Sequence, residues 1–94
     1  MKYPPDIEDA LKKQFAAELD SEMKNFLHEN PNASEWEKYY HEYYSKYMIS
    51  WYLELPRSMS HAEIRKYLGI PCVKDEPNIP RHGWTIAEMI ELPV

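Results

Sequence analysis

Apolar residues recur every four positions at the start of the chain. Ile7, Leu11, Phe15, Leu19, Met23 and Leu27 form the series, with Phe26 beside it. Each residue of an α-helix turns about 100°, so a step of four drifts by roughly 40°. The stripe therefore winds around a helix predicted from about Asp6 to His28, with Pro5 and Asp6 in its first turn. A winding stripe suits an inclined helix crossing better than a parallel bundle seam. Glu22 falls within the angular range of this stripe.

A second helix is predicted from Glu35 to about Glu54. Ser34 and Glu37 have capping-box spacing, in which the serine oxygen takes a free N–H of the first turn. Trp36, Tyr40, Tyr43, Tyr47 and Trp51 share one tight seam on the helical wheel. Tyr39, Tyr44, Met48 and Leu55 flank it, so the apolar sector spans roughly half the circumference. Lys38, His41, Glu42, Ser45 and Lys46 lie opposite. This division predicts a buried aromatic seam, with Trp36, Tyr43, Tyr47 and Trp51 in the core.

Two short helices follow. Ser60 and Glu63 repeat the capping box before His61–Leu68, with Met59 placed to staple onto Ile64. Gly69 suits a left-handed terminus and Pro71 cannot continue the helix. Thr85 and Glu88 announce a last helix over about Ile86 to Glu91, with Trp84 placed to face Met89. Residues 71–83, PCVKDEPNIPRHG, read as an ordered, irregular proline-rich loop. The 8 prolines fall between these elements, and no repeat or flexible linker divides the 94 residues. The expectation is one all-α domain over 1–94: a small bundle of two longer crossing helices plus two short capped helices.

Composition adds class and charge. Apolar residues are 44% and charged residues 29% of the chain, as in ordinary globular domains. No apolar run approaches membrane-spanning length. MKYPPDIED lacks an apolar signal core, so no secretory leader is expected. The lone Cys72 has no internal disulfide partner, which favours a reducing, cytoplasmic setting. Net charge is −5, from 11 basic and 16 acidic residues. Residues 1–30 hold 4 basic and 7 acidic side chains, or −3, and residues 31–56 hold 2 and 4, or −2. Residues 57–94 balance at 5 and 5, although Arg57, Arg65, Lys66 and Lys74 against Glu63 give 57–74 a local +3. An acidic whole argues against sequence-independent nucleic-acid binding and suits a partner with a basic surface.

Catalytic and metal signatures are absent from the pattern. His28, His41, His61, His82 and Cys72 show no metal-ligand spacing. Gly69 and Gly83 build no phosphate loop. The pairs Glu8–Asp9 and Glu35/Glu37 sit where they complement helix dipoles. No cofactor and no metal are expected, and the chain reads as a non-enzyme.

The aromatic helix carries more information. Tyrosine offers a large contact area at low entropic cost, with a hydroxyl that tolerates water. Two readings are open: the sector is all core, or it is core plus an interface. The second exposes Tyr39, Tyr40, Tyr44 and Tyr52 for partner contact, with Glu35, Glu37 and Glu42 as a charged rim. A self-paired sector across a two-fold axis, giving a homodimer, is a further option.

Residues 59–71, MSHAEIRKYLGIP, resemble the first helix and turn of a helix-turn-helix unit, with the pattern S-x-x-E-I-x-x-x-L-G-I. The resemblance covers about 13 residues. It implies a nucleic-acid-binding regulator with Arg57, Arg65, Lys66 and Lys74 on phosphates. The next helical stretch begins near Ile86, too late for a short turn, and IAEMIEL carries no base-reading side chain. The leading expectation is therefore a protein-binding module, such as an acidic inhibitor, an immunity-type protein or a host-modulating protein. The nucleic-acid regulator is the alternative.

Overall fold

The computed structural model describes residues 3–74, 76 and 85–90. The described residues are all-α: α1 Pro5–Glu29, α2 Glu35–Tyr52, α3 His61–Leu68 and α4 Ile86–Met89. The two longer helices cross in extended contact. The short α4 rests on the end of α2, and α3 rests on the start of α1.

The termini follow the predicted chemistry. Ser34, Ser60 and Thr85 accept the backbone N–H groups of Glu37, Glu63 and Glu88 at 3.1, 3.3 and 3.1 Å. In the first two boxes the glutamate also accepts from the serine hydroxyl, at 3.2 and 3.1 Å. Gly69 closes α3 at φ 73°. Its N–H donates to the Lys66 carbonyl and that of Ile70 to the Arg65 carbonyl, a Schellman pair that Ile70 completes by packing on the core. Pro4 leads α1 and Asn30 ends it, the Asn30 amide donating to the Phe26 carbonyl at 3.0 Å.

The core sits at one end of the molecule. Tyr3, Ile7, Leu11 and Phe15 from the start of α1 meet Leu53 and Leu55 after α2, Ile64 of α3, and Ile86 and Met89 of α4. The α1 stripe is thus buried as far as Phe15 and fades outward. Leu19, Met23 and Phe26 are half-buried, and Leu27 is exposed. The second half of α1 and most of α2 form a two-helix arm extending from this core. The molecule measures 53 × 26 × 18 Å, with a radius of gyration of 15.7 Å. A compact chain of this length has about 12 Å.

Two boundaries differ from expectation. The second helix ends at Tyr52, not Glu54, because Leu53 and Leu55 turn into the core. The fourth is described only to Met89; Glu91, Trp84 and most of the predicted loop 71–83 lie outside the described residues.

Candidate functional site: the aromatic face of the second helix

The second helix is turned opposite to the sequence expectation. Ser45 and Ser50 are its buried residues. His41, Lys38 and Ile49 are half-buried around Ser45, on the side facing α1. His41 stacks on Phe26 with ring centroids 4.1 Å apart and an interplanar angle of 12°. Its Nε2 lies 3.3 Å from Glu22 Oε1, so the glutamate inside the α1 stripe meets a polar partner across the crossing. Ser50 bonds the Tyr47 carbonyl at 2.8 Å, beside the docking site of α4.

The expected aromatic core is accordingly corrected. Trp36 is 68% exposed, Trp51 86% and Tyr43 44%, and Tyr47 is only half-buried. A two-helix arm offers α2 one neighbour, and that neighbour covers the serine–histidine side. Tyr39, Tyr40, Tyr44 and Tyr52 are exposed as the interface reading required. Seven aromatic side chains of one helix thus reach solvent, together with Met48. Glu35 and Glu37 are exposed at the start of α2 and Glu42 is half-exposed. Glu35 pairs with Lys38 at 3.3 Å and Glu42 with Lys46 at 3.6 Å.

The rings order one another locally. Trp36 stacks with Tyr39 and tilts against Tyr40, with both centroid distances at 6.1 Å. Tyr43 and Tyr47 meet edge-on at 5.1 Å. Their hydrogen bond pushes the Tyr47 phenol above its ordinary range. Stacked, tilted and edge-on contacts of this kind are the favoured arrangements of neighbouring rings. On one flank, Tyr44 and Met48 join Glu22, His41, Ser45 and Ile49 around a cleft of about 300 Å³.

The basic set is divided. Arg57, Lys66 and Lys74 are exposed, whereas Arg65 is 1% exposed. Its guanidinium holds Glu76 bidentately, Nε to Oε1 at 2.8 Å and Nη2 to Oε2 at 2.9 Å. Nη1 bonds Asp6 at the start of α1 and the Pro71 carbonyl at 3.4 Å. The arginine read from sequence as a phosphate contact instead fastens α3 to α1 and to the following loop. Sequence reasoning also missed Glu54, whose Oε2 accepts the Ile86 N–H at 2.9 Å and ties α4 to the end of α2. Nothing in the spacing of Glu54 marked it, because the contact spans 32 positions.

Among the described residues no three histidine, cysteine or acidic side chains converge as a metal site, and none of their helices is long and apolar enough to cross a membrane. No family model, curated protein or solved structure matches this chain.

Proposed function

We propose that this chain is a non-enzymatic protein-binding module acting through the exposed face of α2. One observation carries the reading: the helix buries two serines and leaves seven aromatic side chains in solvent. Their combined exposed area is about 1,000 Å², taking about 200 Å² for each full side chain. A typical monomer's largest apolar patch is about 300–600 Å². Tyrosine and tryptophan are also the side chains that dominate binding energy at interfaces.

Tyr39, Tyr40, Tyr44 and Tyr52 supply contact area, and Glu35, Glu37 and Glu42 form the rim. The net charge of −5 favours a partner with a basic surface and speeds their encounter. An inhibitor, immunity-type protein or host-modulating protein has this character. The single exposed thiol of Cys72 fits a reducing, cytoplasmic setting.

The test is capture from nuclease-treated lysate by wild type and by Tyr40→Ser/Tyr44→Ser, followed by titration of the captured protein in purified form. Both tyrosines are exposed, so the variant is expected to keep its helical signal. The expected result is a defined protein bound by wild type and at least about 30-fold more weakly by the variant. Equal binding by both chains would remove the face from the reading.

A further inference from the structure

The aromatic positions of α2 form a palindrome. Trp36, Tyr40, Tyr43, Tyr44, Tyr47 and Trp51 read W-x3-Y-x2-Y-Y-x2-Y-x3-W in either direction. The midpoint lies between Tyr43 and Tyr44, and the residue numbers of each symmetric pair sum to 87. In an antiparallel helix pair related by a two-fold axis, residue i of one copy opposes a residue j of the other at a constant sum. With that axis at the midpoint, Trp36 meets Trp51 of the second copy, Tyr40 meets Tyr47, and Tyr43 meets Tyr44.

The angular positions obey the same symmetry. At about 100° per residue the six side chains fall in a sector about 100° wide, and the members of each pair lie equally to either side of its centre. Trp36 and Trp51 are 15 residues apart, so the strip is about 22 Å long.

We propose that a second copy of this chain occupies the α2 face, in this antiparallel register. The proposal rests on the reading of α2 as a protein-binding surface and names what regulates it. The pair closes the face in the resting protein, and a basic-surfaced partner competes with the second copy for it. Area supports this occupant. The six paired rings, with Tyr39 and Met48 that oppose each other across the same axis, expose about 900 Å², whereas a stable pair needs about 800 Å² from each side. Charge permits it. None of the six paired positions is acidic, and the constant sum matches no carboxylate of α2 with another. It also sets Tyr39 against Met48 of the second copy, at the lip of the cleft beside Tyr44.

Two measurements on the full chain test it. Sedimentation equilibrium across a wide concentration range is expected to show the 11.3 kDa chain passing to twice that mass. Tyr43→Glu/Tyr44→Glu, which sets carboxylates against each other at the axis, should raise the dissociation constant by about 30-fold or more while keeping the helical signal. Photo-oxidative tyrosine cross-linking of mixed light and heavy-isotope native chains reads the register. The expected intermolecular links are Tyr43–Tyr44 and Tyr40–Tyr47. A monomer throughout the range, or links of Tyr40 to Tyr40 and Tyr47 to Tyr47, would overturn the proposal. A monomer whose partner capture still depends on Tyr40 and Tyr44 leaves the binding reading standing. A dimer whose partner capture ignores them removes the competing partner and keeps the dimer.

Discussion

Arg65 is the residue on which three parts of the chain depend. It is buried on α3 and neutralised by Glu76 and by Asp6 at the start of α1. A buried guanidinium is tolerated only when its donors are occupied. Removing one partner of a buried pair costs about 3–5 kcal/mol; Asp6 is half-exposed and can rehydrate, so Arg65→Ala should cost about 3 kcal/mol by urea denaturation. Hydrogen bonding to Arg65 holds the Asp6 and Glu76 carboxyls below their ordinary range. Their stabilisation is therefore complete above the unfolded-state carboxyl values, about pH 4, and is lost as pH falls through the lower folded-state values. Arg65 is pushed up by the same bonds and keeps its charge through neutral and alkaline pH, so no alkaline loss accompanies it. The stability gap between wild type and Glu76→Gln should be full at pH 7 and narrow steadily below pH 4. A gap that stays constant to pH 2.5 would show that the charge of Glu76 contributes nothing to folding.

At the scale of the element, α2 and α1 obey different rules. The first helix buries its stripe where α3 and α4 provide cover, and the stripe loosens along the arm. Along the arm the second helix has α1 on one side and solvent on the other, with α4 reaching only its end. It places Ser45 inward because a close crossing accommodates a small side chain and a stacked imidazole more readily than a row of indoles. The consequence is a contrast in mutational sensitivity. Ile7→Ala should cost about 3 kcal/mol, as for other buried aliphatics. Trp51→Ala, on a side chain 86% exposed, should stay within about 0.5 kcal/mol in dilute, monomeric protein. A large loss at Trp51 under those conditions would place the indole in the core and return α2 to the orientation read from its pattern.

For the whole molecule, the elongated arm ties stability to concentration. Its core occupies one end, and the aromatic strip lies on α2, largely away from it. Any association through that strip stabilises the folded state by mass action. The wild-type melting temperature should therefore rise with protein concentration, whereas that of Tyr43→Glu/Tyr44→Glu should not. A wild-type value independent of concentration between 5 and 500 µM, on the order of one hundredfold, would count against a dimer.

Much of this architecture was legible in residue order. Ser34, Ser60, Thr85 and Gly69 set helix ends through bonds spanning five residues or fewer, so their chemistry is local and readable. The four-residue recurrence from Ile7 likewise named the face of α1 that meets the core. The orientation of α2 was not readable. A helical wheel ranks faces by hydrophobicity, which selects the buried face only when enough neighbours exist to cover the most apolar one. The structure gives α2 a single long neighbour, and that neighbour takes the small and polar side. Arg65 and Glu54 were hidden for a related reason. Asp6 lies 59 positions from Arg65 and the Ile86 N–H 32 positions from Glu54, and only the folded chain brings these groups together. The sequence by itself determined which helices form, how their capped ends are closed and how many aromatic rings one of them carries. Tertiary structure decided that those rings face outward, because packing partners, not hydrophobicity alone, choose which face is buried.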